Sequence, residues 1–353
     1  IGKGVTFTNK SSNTSYEGHM TWLTGNGNIH TYDNTNSATV KVHFVQDHDS
    51  AGLNAWKAGK DIRTNNVTFF ENTKQDNISN MQWYACHDIL TNYGAWGALG
   101  IDGSGAKTTT FDNKSKGHMI WHANNDIDTR SKTEFFSRQN SQGHVTWYAD
   151  HDIHTRLGTT ANSVLGDGVN FTQDGEGRTI WQAGNDITTH NAVHFDFTAN
   201  AKDWSSLALL AGRNITLGGT TLGTDPGDYQ NAHPSVWNEF KVETHQNVND
   251  TIVLHARDGY ILTNSLVNIE RKNDKPALTK LWAGCRTYHD LINNPPYRND
   301  IDIEHTFNYT ETNGQGSQNN TGGALIYLYA ENDILSNQVC DNREAPITFT
   351  VPA

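Results

Sequence analysis

Hydrophobic and polar positions alternate in short runs that recur along the whole chain. One copy, "TIWQAGNDITTH" (Thr179–His190), has the pattern of a strand end, a tight corner at Gly-Asn-Asp and the start of another strand. Short β-branched and aromatic runs such as "VTFF" and "VNFT" precede the copies. The repeated unit therefore predicts a first strand, a variable polar loop, a second strand ending in Trp-x-Ala, a tight corner, and a third strand carrying Asp-Ile-x-Thr.

The second strand of each unit carries a large apolar anchor residue. Six copies have Trp and four have Leu at this position: Trp22, Trp56, Trp83, Trp121, Trp147, Trp181, Leu209, Leu254, Leu281 and Leu328. From the second copy onward an Ala follows two positions later, at intervals of 27, 38, 26, 34, 28, 45, 27 and 47 residues. Three strands in about 27 residues are too compact for a propeller blade of about 40–45 residues and fit one coil of a solenoid. The longer intervals predict loops inserted on alternate coils.

These features predict an all-β fold, a single right-handed parallel β-helix of about ten coils. Residues 1–353 are expected to form one repeat domain, with Trp-anchored coils in about 1–190, Leu-anchored coils in about 191–340 and a terminal strand in 345–353. Equivalent residues of successive coils lie about 4.8 Å apart, so ten coils give a rod of roughly 50 Å. The anchors should stack inside, the Ala should make room beside them, and an aliphatic ladder should follow the corner: Ile62, Ile89, Ile127, Ile153, Ile187, Ile215 and Ile334.

Composition excludes several classes of protein. The 353 residues are only 35% hydrophobic, but 10 Trp, 12 Tyr and 13 Phe are too many aromatic residues for a disordered chain. A net charge of −12 without a basic block argues against nucleic acid as a partner. No run approaches the roughly 18 apolar residues of a membrane-spanning helix, so no membrane span is expected. Cys86, Cys285 and Cys340 form no CxxC pair, and a Cys285–Cys340 disulfide is left open.

Repeated Asp and His side chains are candidate metal ligands. Asp occupies one repeat position before the corner Ile, at Asp61, Asp88, Asp126, Asp152, Asp186 and Asp333. A metal ladder is one interpretation. The favoured one is that each side chain bonds its own backbone at the turn, since Asn214 occupies the same position. His118 and His144 share a "GHxxW" context and suggest a two-His metal site, but outward-facing strand residues are favoured. His87 and His151 are expected in exposed corners.

Exposed aromatic residues are the stronger functional lead. Tyr84 and Tyr148 follow anchor Trp residues and should point outward, while Tyr93 and Trp96 lie in the insertion after Ile89. These four are candidate contacts for surface glycans, because aromatic faces can stack on sugar rings. The alternative, insertion loops that fold back over the solenoid, stays open. The sequence predicts no catalytic residue, no metal and no cofactor.

The strings "WKAGKDI", "WQAGNDI" and "LLAGRNI" resemble the repeats of filamentous-haemagglutinin-like adhesins, whose β-helical coils carry a hydrophobic-x-Ala-Gly-x-Asp/Asn-Ile pattern. The resemblance covers essentially the whole chain as architecture; the Trp anchors and the long alternate loops depart from it. It implies a secreted or cell-surface, non-catalytic fibre that attaches cells to surfaces, glycans or one another.

The two terminal stretches add an expectation about assembly. Both "GVTFTNK" and "APITFTVPA" have the pattern of the first strand of the unit. The chain is therefore expected either to be a segment of a longer fibre or to self-associate end to end through its terminal strands, in an open contact that builds a filament. The runner-up function is a carbohydrate-active β-helix enzyme, a polysaccharide lyase or glycosidase. A cluster of carboxylates beside exposed Tyr or Trp would favour the enzyme.

Overall fold

The protein is a parallel β-helix in a computed structural model. The structure describes the chain outside residues 1–4, 12–17, 32–41, 49–51, 65–67, 75–77, 92–108, 131–132, 139–142, 157–167, 190–191, 199–205, 219–238, 246–250, 264–265, 272–276, 285–300, 304–306, 312–323, 331–333, 337–346 and 351–353. The described residues contain 31 strands and no helix.

Each coil contributes one strand to each of three parallel sheets, named A, B and C in chain order. Sheet A has eleven strands: β1 (Thr6–Ser11), β4 (Val42–His48), β7 (Thr68–Asn72), β10 (Thr109–Asn113), β13 (Thr133–Ser137), β16 (Val169–Gln173), β19 (Val193–Phe197), β22 (Phe240–Thr244), β25 (Val267–Arg271), β28 (Phe307–Glu311) and β31 (Ile347–Thr350). Sheet B has ten: β2 (Gly18–Thr24), β5 (Gly52–Ala58), β8 (Ser79–Ala85), β11 (Met119–Ala123), β14 (Val145–Ala149), β17 (Arg178–Ala183), β20 (Ser206–Ala211), β23 (Thr251–Ala256), β26 (Ala277–Ala283) and β29 (Ala324–Ala330). Sheet C has ten: β3 (Ile29–Thr31), β6 (Ile62–Thr64), β9 (Ile89–Thr91), β12 (Ile127–Arg130), β15 (Ile153–Arg156), β18 (Ile187–Thr189), β21 (Ile215–Leu217), β24 (Ile261–Thr263), β27 (Ile301–Ile303) and β30 (Ile334–Ser336). Ten complete coils and the first strand of an eleventh confirm the predicted architecture.

The strand register confirms the predicted ladders. All ten anchors, from Trp22 to Leu328, pair with one another in sequence order along sheet B. The Ala residues two positions later pair in the same way from Ala58 to Ala330. The Ile ladder of sheet C holds three members that the sequence pattern had not included: Ile29, Ile261 and Ile301.

The anchors form no uniform stack, and the most regular stack in the core is made of Phe. Trp83 stacks on Trp121 with centroids 4.5 Å apart and planes 6° from parallel, whereas Trp121 and Trp147 are 6.3 Å apart at 61°. Phe rings of sheet A stack at 4.6–5.3 Å with planes within 17° of parallel: Phe7, Phe44, Phe70, Phe111, Phe135, Phe171 and Phe195. The Phe and Trp columns meet edge to face, the geometry that aromatic quadrupoles favour. The core is therefore a two-column aromatic seam between sheets A and B.

Glycine occupies corners where successive coils approach too closely for a side chain. A Cβ on Gly143 would lie 1.8 Å from the carbonyl oxygen of Gly117, and a Cβ on Gly184 would lie 1.9 Å from the carbonyl oxygen of Asp150. The first contact explains the Gly in "GHxxW", and the second explains the Gly in Trp-x-Ala-Gly. Both motifs are consequences of coil stacking.

The variable loop predicted between the first and second strands spans three to eight residues in the first eight coils. The longest connections of these coils follow the third strand, as predicted for the insertion after Ile89, and join sheet C to sheet A of the next coil. They span residues 32–41, 92–108, 157–168 and 218–239 on the odd coils, with connections of two or three residues on the even coils. The alternation is confirmed over these eight coils, and each of the four long insertions begins where a sheet C strand ends. In the ninth coil the long connection, 284–300, instead follows the second strand.

Candidate functional site

Five side-chain clusters of the outer surface are candidates for chemistry or binding. The first is the corner between sheets B and C, where the repeated Asp residues form a ladder. The Oδ1 atom of Asp88 accepts the backbone N–H of Asp126 at 3.2 Å, and Oδ1 of Asp126 accepts the N–H of Asp152 at 3.1 Å. The same bond links each member to the next: Asn28, Asp61, Asp88, Asp126, Asp152, Asp186, Asn214 and Tyr260. Asp333 lies outside the described residues.

This ladder corrects the expected bonding of the Asp residues. The expectation that each carboxylate bonds its own backbone is wrong, because the acceptor serves the next coil. The reason is geometric: the equivalent backbone N–H of the next coil lies about 4.8 Å along the axis, within reach of a short side chain. Either Asp or Asn supplies that oxygen, which explains why Asn214 replaces Asp without breaking the series.

Stacked carboxylates repel one another, and the hydrogen bonds that compensate for this repulsion differ from one ladder member to the next. Burial raises the pKa of Asp61, but hydrogen bonds from Arg63 at 2.7 Å and from the backbone of Asp88 outweigh it, so the pKa is lowered overall. Burial raises the pKa of Asp126, and the Asp152 charge adds to this, so the pKa stays above its ordinary value. On the next coil burial again raises the pKa of Asp152, but hydrogen bonds from His154 and the backbone of Asp186 outweigh it, so this pKa is lowered overall. Asp126 is therefore less well compensated than Asp61 or Asp152.

Two groups along this corner bring three possible metal ligands within 4.8 Å of one another. One consists of Asp61, His87 and Asp88, and the other of Asp126, Asp152 and His154. In both groups one carboxylate oxygen of each Asp already accepts a backbone N–H of the next coil. The fold thus accounts for the closeness of these side chains. His87 and His151 lie exposed in the corners, as predicted.

The second cluster is the histidine ladder at the start of the sheet B strands. His118 and His144 lie on adjacent coils with ring centroids 4.9 Å apart. Nδ1 of His118 accepts the backbone N–H of His144 at 3.0 Å, and Nδ1 of His144 accepts the N–H of Arg178 at 3.1 Å. Asn80 makes the equivalent bond to His118 one coil earlier, at 2.7 Å. Both rings must therefore be unprotonated at Nδ1, and burial lowers the pKa of each. The predicted outward-facing strand position is confirmed, with a bonding role that the sequence pattern did not indicate.

The third cluster lies on the outer face of sheet A and was missed by the sequence analysis. Nε2 of His245 lies 3.3 Å from both Asp196 Oδ1 and Glu243 Oε1, and Lys241 Nζ lies 2.8 Å from Glu243 Oε2. Burial raises the pKa of Asp196, and burial also lowers the pKa of the neighbouring His194. No repeated motif marks these residues, because they occupy outward positions whose identity the core does not constrain.

The fourth cluster comprises outward aromatic residues of sheet B. The rings of Tyr84, His122 and Tyr148 follow one another at 5.0 Å, each pair edge to face. The ammonium of Lys57 lies 5.3 Å from the Tyr84 centroid, and the Tyr84 hydroxyl donates to Asn124 at 3.2 Å. The predicted outward orientation of Tyr84 and Tyr148 is confirmed. Tyr93 and Trp96 lie outside the described residues.

A fifth cluster, a second outward aromatic group, lies on the last two complete coils, with three coils between it and that stripe, and was not predicted from the sequence. It consists of Trp282 on β26 and of Tyr327 and Tyr329 on β29. The sequence does indicate this group, because aromatic residues alternate with the inward anchor and Ala positions in "LWA" and "YLYA". These copies have Leu anchors, so their aromatic residues lie beside the anchor position and not at it.

Cys86 is a free, exposed thiol in the described part of the chain, whereas Cys285 and Cys340 lie outside it. No stretch of described residues forms a helix long and apolar enough to cross a membrane. Comparisons with protein-family models, with curated proteins and with solved structures find no significant match. The resemblance to filamentous-haemagglutinin-like repeats accordingly stays a hypothesis, and function must be argued from this chain's own surface.

Proposed function

We propose that the protein is a non-catalytic structural and adhesive fibre segment that acts outside the cell or on its surface. The observation that carries this proposal is the unbroken register of its ladders through ten coils. Backbone pairs in three sheets link all ten coils, the Asp ladder links the first eight, and the aromatic seam runs through the first seven. Such a rod holds whatever lies on its outer faces at fixed spacing, which suits attachment at several points.

The ends of the rod support self-association as part of this function. The outermost strands of each sheet, β1, β2 and β3 at one end and β29, β30 and β31 at the other, each have one neighbour among the described strands. The eight anchors from Trp56 to Leu281 are enclosed and Leu328 at the second end is partly buried, as is the large indole of Trp22 at the first end. A further coil, from the same or another chain, would complete these hydrogen bonds and cover that side chain.

A carbohydrate-active enzyme is the second candidate, and one observation favours it. Asp196 and Glu243 form a pair of carboxylates in unlike surroundings, which general acid–base chemistry on a glycosidic bond needs. Against this, the exposed aromatic rings lie on sheet B, whereas this pair lies on sheet A. The two features expected of a polysaccharide-cleaving site are thus on different faces of the described structure.

Attachment and cleavage can be measured together. Beads coated with the purified chain would be tested for adhesion to cells and to immobilised polysaccharides, while the supernatant is assayed for new reducing ends and for unsaturated products. Adhesion without product release is the expected result. Steady product release that the Asp196→Asn variant abolishes would refute the fibre proposal and support the enzyme.

A further inference from the structure

The aromatic group near the last complete coil differs in geometry from the Tyr84 stripe. Tyr327 and Tyr329 are 43% and 36% exposed, and their ring planes lie within 7° of parallel with centroids 6.5 Å apart. Trp282 adjoins both, at 6.4 Å from Tyr327 and 5.2 Å from Tyr329. A ring-shaped ligand that lies flat against one tyrosine is therefore also parallel to the other.

Strand alternation makes this arrangement rigid. Tyr327 and Tyr329 are two residues apart on β29 and flank the anchor Leu328, so both rings stand on the outer face. Trp282 pairs in register with Tyr329, and Lys280 pairs with Tyr327, on the neighbouring strand β26. The rings are thus held by paired backbone, and binding would need little ordering of the protein.

The size of the patch indicates a small ligand instead of a protein surface. A tyrosine carries about 150–250 Å² of surface, so the two exposed rings offer on the order of 150–200 Å². A stable protein interface buries about 800 Å² on each partner. The patch is several times too small for such an interface and is comparable with the face of one or two sugar rings.

The chemistry of the patch selects among small ligands. A pyranose ring has a face of C–H groups and a rim of hydroxyls, which matches an aromatic face that carries tyrosine hydroxyls and has Lys280 paired in register beside Tyr327. A polyanion would meet a chain of net charge −12.

We infer that Trp282, Tyr327 and Tyr329 form a binding platform for a neutral polysaccharide. This inference deepens the adhesive function proposed above and rests on it, because it assigns the surface and the ligand class. It also distinguishes this platform from the stripe of Tyr84 and Tyr148. In that stripe the neighbouring rings meet edge to face and a lysine lies over one of them.

Affinity electrophoresis tests the platform. The full chain would be run through gels that contain a neutral β-glucan, galactan or mannan, or an anionic polygalacturonate. Retardation by at least one neutral polysaccharide is expected. The Tyr327→Ala/Tyr329→Ala variant should bind about tenfold more weakly, since each ring contact contributes a factor of roughly 2 to 12.

Two matched variants separate binding from folding. Tyr84→Ala/Tyr148→Ala removes two outward tyrosines of the same sheet and should keep its affinity within about twofold, because those rings lie outside the platform. Tyr327→Phe/Tyr329→Phe keeps the ring faces and should retain most of the binding.

Three results would overturn the inference. These are no retardation by any neutral polysaccharide, retardation by the anionic one alone, and a loss of binding that follows Tyr84 and Tyr148 instead of Tyr327 and Tyr329. Each of them leaves the fibre proposal to be decided by bead adhesion and by imaging, since the rod could attach through another surface. Conversely, a chain that fails the adhesion and imaging assays could still be retarded by a polysaccharide in the gel, so the two proposals can fail separately.

Discussion

Replacing Trp121 by Ala should cost about 4 kcal/mol of unfolding free energy. The indole is 1% exposed and makes three close ring contacts, with Trp83 at 4.5 Å, Phe111 at 5.0 Å and Phe135 at 5.2 Å. Returning its apolar surface to water costs about 2–3 kcal/mol, and each lost ring contact adds roughly 0.5 kcal/mol or more. Measured Trp→Ala or Phe→Ala changes in cores span about 3–5 kcal/mol.

The backbone around Trp121 is too constrained to relax into the cavity, so the variant should lose the full unfolding free energy given above. Strand β11 is paired on both sides, with β8 and β14, so the backbone cannot collapse into the space that the indole leaves. The loss should also be local, because each coil of a solenoid interacts mainly with its neighbours.

Urea unfolding followed by far-UV circular dichroism would measure the change, and hydrogen exchange would locate it. Faster exchange is expected in peptides that contain β8, β11 and β14. Trp282→Ala is the matched control, since this indole is half-buried on the outer face of the same sheet and its ring contacts are longer, at 5.2–6.4 Å, so its loss should cost only about 1–2 kcal/mol. A loss below about 1 kcal/mol for Trp121→Ala, or equal losses for both variants, would refute the account of the core.

Other predictions concern the two side-chain ladders. Asp126→Ala should cost about 1–3 kcal/mol because the N–H of Asp152 loses its acceptor. Asp126→Asn keeps the acceptor and removes a carboxyl group whose pKa is raised in the folded state. The urea midpoint of this variant at pH 7 should therefore equal or exceed that of the parent. A midpoint as low as that of the Ala variant would contradict the ladder. The lowered pKa values of His118 and His144 mean that their contribution is complete above the ordinary value of 6.5 and is lost as the pH falls through the folded-state values. In the double variant His118→Asn/His144→Asn, which copies Asn80, the urea midpoint should fall less than that of the parent between pH 7.5 and pH 5. An equal fall in both proteins would show that the histidine ladder does not carry this pH dependence.

The sequence was sufficient for the architecture because the interior of a β-helix repeats. Trp, Ala and Ile recur at fixed positions, since each must fill the same space one coil further on, and their register was confirmed residue by residue. The Phe residues recur with the same period and mark the first strand, but their packing against the Trp column depends on how sheets A and B face each other, which the repeat alone does not specify.

The outer surface was much less predictable. The Asp residues were correctly placed at a corner, but their bonding partner is one coil away and separated by 26 to 38 residues in the central coils. Asp196, Glu243 and Tyr327 occupy outward positions where almost any side chain is compatible with the coil. Asp196 and Glu243 lie on strands separated by a long connection, so their proximity to His245 is seen only in the structure. The neighbours of Tyr327 follow from the anchor register once the alternation in "YLYA" is taken into account.

Electron microscopy of the purified chain over a range of concentrations tests the central claim most directly, namely that this protein serves as the repeating length of a rigid fibre. The account predicts unbranched threads one β-helix wide, with an axial repeat of roughly 50 Å from ten coils at about 4.8 Å each. Separate particles of uniform size at every concentration, with no threads in material isolated from its native source, would contradict it.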